Sequence, residues 1–343
     1  MNRAILLLLF TFTFPALAGA ADKKLDLYWI DTEGGGATLI VTPAGESVLI
    51  DAGNPGDRDA ARAFKVAHDV AGLSKIDQLV TTHYHGDHFG GAAPLSKLIP
   101  IGTVWNNGDW HAGREAPSQE YLDFKCDGRK VIKPGEELPL KQAEGAPPVH
   151  IRCLMARQEA IAAPAGAVQN PLCTGEIKHQ TRDLSDNANS IVQVLSFGDF
   201  RFYDGGDLTW NMELKLACPV NLVGKVDVYQ VTHHGLDLSN NALLVASLEP
   251  TVAIMNNGPV KGCGPNTVAT LRATKSIQAI YQLHRNLRPD GATGNVSDSA
   301  YIANEADQCE GNFVKLSVDS AAKTYTVSVP ATKHERTFKV REQ

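Results

Sequence analysis

Short apolar runs separated by turn residues recur through most of the chain, a pattern of strands more than of long helices. Residues 25–30, 37–42 and 47–50 form the first three, with Pro43-Ala44-Gly45 supplying a turn between the second and third. The period then lengthens. Ala61, Phe64, Ala67 and Val70 or Ala71 recur at helical spacing, predicting a helix over 58–71 with Asp57 as cap and Gly72 as stop. Residues 76–80 return to a strand, 90–98 to a helix and 103–105 to a strand. From 106 to 133 the pattern is irregular; with Trp105 at its edge, this stretch offers Trp110, His111, Tyr121 and Phe124 as candidate pocket walls or as anchors pinning a loop. Further strands are expected at 149–155, 191–197, 200–203, 226–232 and 251–255, a helix at 266–275, and a closing hairpin at 313–318 and 325–329. Strands and helices interleave throughout, which is an α/β pattern, and no repeat at solenoid spacing is present.

The N-terminus departs from this pattern. Arg3 precedes an apolar stretch over 4–14, and Ala16-Leu17-Ala18 or Ala18-Gly19-Ala20 offers an A-x-A cleavage site. Residues 1–20 therefore read as a signal peptide and 21–343 as one exported domain, periplasmic or secreted. The apolar stretch is too short to span a bilayer. Six cysteines without a C-x-x-C pair suggest disulfides rather than a zinc knuckle. Cys153 and Cys173 are expected to pair, because they bracket an Ala/Pro/Gly-rich loop that is costly to order. With 20% charged residues and a net charge of −6, the chain is a folded globular protein with no general pull towards polyanions. No specific nucleic-acid binding is expected, and a small-molecule or ester substrate is.

The densest chemistry lies directly after the 76–80 strand, in Thr81-Thr82-His83-Tyr84-His85-Gly86-Asp87-His88-Phe89-Gly90-Gly91. Imidazole nitrogen and carboxylate oxygen are the donors that hold zinc-like cations. His83 and His85, two apart, point the same way on extended chain, and the glycines let Asp87 and His88 turn back. That geometry suits two neighbouring divalent ions, one held by His83 and His85, the other by Asp87 and His88. The plainer alternative is a His-rich polar loop, but four ligand-type residues in an H-x-H-x-D-H order seldom arise by chance.

This run at a strand end resembles the signature of the metallo-β-lactamase superfamily. A strand closing on Asp51-Ala52-Gly53 is a second landmark of that family. Asp31 with Gly34-Gly35-Gly36, and Asn187-Ala188-Asn189-Ser190 before an apolar strand, resemble its competence-protein (ComEC-like) branch. The resemblance implies a four-layer αββα sandwich with metals at one edge. It also implies that Asp207, in Gly205-Gly206-Asp207, bridges the ions and that His234 before Gly235 completes the set, with Asp51, Asn189 and His233 in supporting positions. Asp204 competes with Asp207 but lacks the family's Gly-Asp order. The extra histidine that many members place before the bridging acid has no match in context, since His111, His150 and His179 sit elsewhere; the ComEC-like branch lacks it too. Zinc is the first expectation for the ions and manganese the second.

The implied activity is metal-dependent hydrolysis by a metal-bound hydroxide that Asp87 orients, on a phosphodiester or related ester. No G-x-S-x-G nucleophile elbow competes with it. The alternatives are β-lactamase- or lactonase-type hydrolysis of cyclic amides or esters, and a metal-stabilised binding protein without turnover. Lys261 offers a contact for an anionic substrate, or is simply a solvated loop lysine.

Overall fold

The computed structural model describes residues 24–109, 115–291, 293–321 and 323–342. The expected signal peptide, Trp110 and His111 lie outside them. Among the described residues the strands form two sheets. The first runs, edge to edge, through His334–Lys339, Thr324–Val329, Val314–Asp319, Leu25–Trp29, Thr38–Val41, Ser47–Ile50, Ile76–Val80, Ile101–Asn106 and Gly128–Val131. The second runs through Ile302–Asn304, Ala279–His284, Val252–Met255, Val228–Gln230, Phe200–Asp204, Val192–Phe197, Val149–Ala156 and Glu159–Ala160. Each sheet is antiparallel on one side and parallel on the other: the change comes at Ser47–Ile50 with Ile76–Val80 in the first, and at Phe200–Asp204 with Val228–Gln230 in the second.

Three apolar layers hold this arrangement. Along Leu25–Trp29, Leu27 and Trp29 join the core between the sheets, while Tyr28 joins the layer under the outer helices. Alternation thus survives as two buried faces instead of one wet and one dry, which is why the strands read as nearly continuous apolar runs. The inter-sheet core sets Leu25, Leu27 and Trp29 of the first sheet with Phe197, Phe200 and Phe202 of the second. Ala60, Ala63, Ala92 and Leu95 pack a helical layer on the first sheet, and Leu216, Leu244, Val245 and Leu271 pack another on the second. The result is the expected αββα sandwich. One polar stitch crosses its centre: buried Gln230 Oε1 accepts hydrogen bonds from Trp29 Nε1 at 2.8 Å and Thr38 Oγ1 at 2.9 Å.

Several expectations need correction. The 58–71 helix runs as Asp57–Phe64 and widens into a π-type turn over Lys65–Val70, with Asp57 inside its first turn and Gly56 at the cap. The 106–133 stretch contains a helix at Gln119–Asp123 and the edge strand Gly128–Val131. Of the two roles open to Tyr121, the structure shows the anchor. The residue is buried with its hydroxyl donating to Thr81 Oγ1 at 2.8 Å, and it packs against Phe89 and Phe124. Cys153 is a buried free thiol within a strand, and Cys173 pairs instead with Cys218, 45 residues on. The ordering cost of the loop is therefore met by tying its far end to the helix Trp210–Ala217, not by closing it on itself.

Candidate metal centre

The carboxyl ends of the parallel strands open at one edge of the sandwich, where ligands gather in open α/β sheets. Ile76–Val80 leads through Thr81 and Thr82 to His83, and the one-turn helix Gly86–Phe89 then presents Asp87 and His88. Phe200–Asp204 delivers Asp207. Val228–Gln230 delivers His233 and His234, both in the left-handed region at φ 55°. Non-glycine residues enter that region at a cost, and two in succession mark a turn held by its surroundings. Gly36 makes room for the cluster, because a Cβ there would lie 2.8 Å from His88 Nδ1.

The hub is Asp207 Oδ2. His88 Nε2 lies 3.1 Å from it, His234 Nε2 3.2 Å, His233 Nε2 3.5 Å and His83 Nε2 3.9 Å. Asp87 Oδ2 stands 3.4 Å from His234 Nε2 and 3.7 Å from His88 Nε2. One donor atom each from Asp87, His88, Asp207 and His234 falls within 4.8 Å of all the others. Burial works against the ionised form of Asp207, yet His234, His88 and His233 hold its carboxyl well below the usual range. Asp87 is likewise lowered against burial, by His88 and His234. His83 is pushed down by burial and by His88, whereas His88 is raised despite burial by Asp207, Asp51 and Asp87.

This set fits a cation. Nitrogen and oxygen donors from separate strands converge, and His83 Nε2 is buried without a hydrogen-bond partner. His88 Nε2 faces His234 Nε2 at 3.2 Å. Two ring nitrogens and two carboxylates around one small space are the donor set of zinc- or manganese-type sites.

Asp51 stands behind the cluster. At φ 60° its carboxylate accepts from Thr82 N at 2.8 Å and Thr82 Oγ1 at 2.7 Å, and meets His88 Nδ1 at 2.6 Å. The Nδ1 proton is thereby fixed and Nε2 is aimed at Asp207. His233 is oriented in the same manner by Ser239 Oγ, 3.0 Å from its Nδ1, and burial pushes its pKa down to about 4.

Not every expected residue joins. His85 is partly exposed, and its Nε2 meets Glu115 Oε1 at 3.0 Å, although its ring centroid stays 4.8 Å from that of His83. Asn189 reaches Asp186 and Gln158 instead of the cluster; Asn187 is the one that contacts His233 Nε2, at 3.4 Å. His150 pairs with Glu137 on the surface. Asp204 is buried and raised to about 7 by that burial, with Gly206 N donating to its Oδ1. Lys261 is a partly exposed loop residue that does not stand free: its Nζ bonds the Asp87 carboxylate. No local sequence signal points to Glu115, and Lys261 was a candidate only for substrate; its pairing with Asp87 spans 174 residues.

Residues 31–152 match the family model of the Metallo-beta-lactamase superfamily. The chain is 35% identical over 95 residues to a metal-dependent hydrolase of Cupriavidus metallidurans, covering 27% of this chain and 30% of that one. It is 24% identical over 255 residues to Recombination protein 2 of Haemophilus influenzae, covering 74% of this chain and 26% of the other. The matches thus span less than a third of these relatives' lengths. Among solved structures, a putative metal-dependent hydrolase from Parabacteroides distasonis superposes with a TM-score of 0.41 at 13% identity, over 75% of this chain and 92% of that one. A diphosphatase of the PhnP family superposes with a TM-score of 0.38 at 14% identity, over 86% and 98%.

Proposed function

We propose that this chain is a member of the metallo-β-lactamase superfamily and, with its αββα fold, an exported metal-dependent hydrolase of phosphodiester or related ester bonds. The observation that carries the reading is the convergence of four imidazole nitrogens on Asp207 Oδ2 beside the Asp87 carboxylate.

His83 and Asp207, joined by His85 once its ring turns from Glu115, would hold one divalent ion, and Asp87, His88, His234 and Asp207 the other. When bound, such ions make water acidic enough to attack at neutral pH and draw charge from the bond under attack. The chain's own groups do the rest. Asp87, held ionised by His88 and His234, accepts a hydrogen bond from the attacking water and orients it. Lys261 presents a positive charge at the Asp87 edge of the cluster, where an anionic substrate oxygen would otherwise meet carboxylates. His233, neutral near pH 7, offers Nε2 towards the same space without adding charge.

One further observation supports the export part of the reading: residues 1–20 carry the pattern of a cleaved export signal.

The test is turnover of bis-p-nitrophenyl phosphate, nitrocefin and a simple lactone by chelated protein reloaded with zinc or manganese. Metal-dependent phosphodiester cleavage is expected, with Lys261→Ala raising KM roughly tenfold as one charge-assisted contact is lost. Cleavage of nitrocefin or lactone alone would move the reading to cyclic amides or esters. No turnover with either metal would leave a binding protein.

A further inference from the structure

A second cluster of metal-ligand side chains lies away from the first and shares no residue with it. Asp31 follows the strand Leu25–Trp29, His284 ends Ala279–His284, and Cys309 lies in the connection before Val314–Asp319. Asp31 and His284 are wholly buried. His284 Nε2 lies 3.0 Å from the Asp31 carboxylate, Cys309 Sγ 3.2 Å from Asp31 Oδ2, and Cys309 Sγ 3.6 Å from His284 Nε2. Glu33 adds a fourth donor, and all four ligand atoms fall within 4.8 Å of one another.

We propose that Asp31, Glu33, His284 and Cys309 form a separate, structural binding site for a zinc-like divalent cation. One thiolate, one imidazole and two carboxylates are a complete four-donor set for such an ion, with no position left open for substrate. Arg62 fits the charge. It bonds Asp31 Oδ2 and Glu33 Oε1, each at 3.0 Å, and its Nη2 approaches Cys309 Sγ at 3.4 Å. Three anionic ligands are then balanced by one divalent ion together with one guanidinium, so no net charge is buried. The proton leaving the Cys309 thiol passes to solvent, which the partly exposed thiol and Glu33 both meet.

The location gives the site a purpose. It ties a strand end from each sheet to the 305–313 connection. The segment from Asp31 to Gly36 then continues to the first centre, where Gly36 N donates to Asp87 O at 3.0 Å. Gly34 supports the loop that carries Lys261, since a Cβ there would meet Lys261 Cβ at 2.9 Å. A cation at Asp31 would fix both features from behind.

The first centre contains no sulfur ligand, so sulfur reports on the second site alone. Full-length protein is stripped of metal, reloaded with cobalt(II) and examined for a thiolate-to-cobalt charge-transfer band, and bound metal is counted for wild type and Cys309→Ser. The expected result is a band in wild type that Cys309→Ser abolishes, with one ion per chain fewer in the variant. As a check that needs no variant, cobalt or zinc should protect Cys309 of the wild type from alkylation, read by peptide mass mapping. Absence of the band, or unchanged alkylation of Cys309 with and without metal, overturns the proposal and leaves a hydrogen-bonded tie.

Discussion

Replacing Asp51 tests whether the cluster is built to hold metal. Asp51→Asn keeps the size of the side chain and suits the left-handed backbone at φ 60°, which asparagine tolerates. Its amide oxygen can still accept from Thr82 N, now 2.8 Å from Oδ1. The amide nitrogen, however, replaces Oδ2, which accepts from Thr82 Oγ1 and sits 2.6 Å from His88 Nδ1. An N–H then faces the His88 Nδ1 proton, and the ring must change tautomer, turn, or lose its orienter. Supporting partners of this type are worth about 10–100-fold in metal affinity, or roughly 1.4–2.7 kcal/mol. Stability of the stripped protein should fall by less than that, because two of the contacts can re-form. Asp51→Ala makes the contrast: it strands Thr82 N and His88 Nδ1, each costing on the order of 1–3 kcal/mol, while Thr82 Oγ1 keeps His83 Nδ1 at 3.0 Å, and it should destabilise the stripped fold as well. Metal affinity is measured by competition with a chromophoric chelator, and stability by urea unfolding without metal. Wild-type affinity in Asp51→Asn, or equal unfolding curves for Asp51→Asn and Asp51→Ala, would refute the reasoning.

Two other expectations follow from the fold. Cys218→Ser opens a cross-link between residues 45 apart, for which the chain-entropy account gives a loss of about 4 kcal/mol; an unfolding midpoint equal to that of the oxidised wild type would contradict it. Glu213 is sealed from solvent, and burial raises its pKa from 4.5 to about 8, against the backbone N–H groups of Asn240 and Asn241 that it accepts from. The folded state therefore binds the proton more tightly than the unfolded one. Its contribution is fully present below about pH 4.5 and is lost as pH rises through about 8, on the order of a few kcal/mol in all. Urea unfolding across that window should show a downward trend in wild type that Glu213→Gln flattens; parallel trends would refute the assignment.

The local signals in the chain were clearest where an element is bounded by turn chemistry. Ser47–Ile50 and Ile76–Val80 are read to the residue, because each is a short, partly apolar segment that stops at a ligand-bearing or glycine-rich loop. The helices Trp210–Ala217 and Ala242–Leu248 escape notice, being barely two turns long with buried residues on more than one side. The edge strand His334–Lys339 escapes for the opposite reason: only Phe338 is buried, so it reads as a polar tail. At the candidate centre, His83, Asp87 and His88 were legible from their spacing after a strand, and Asp207 and His234 from the family resemblance; the structure brings strand ends of both sheets together at one edge of the sandwich. What was not legible is contact between distant loops. Lys261 meets Asp87 across 174 residues, and Cys173 finds Cys218 instead of Cys153 because Cys153 is locked inside a strand. Sequence spacing carries no record of such meetings.

The hub at Asp207 has a bearing on the order in which this protein can mature. Its oxygen comes from the second sheet, while His83, Asp87 and His88 follow the first, and Gln230 locks the two sheets together only once Trp29 and Thr38 have reached it. Neither half presents more than a partial donor set. A chain in which only the strands of residues 25–131 had paired would offer His83, Asp87 and His88 without Asp207 or His234. An ion held by the full donor set would therefore require both sheets to have docked, since Asp87 and His88 meet Asp207 and His234 only there.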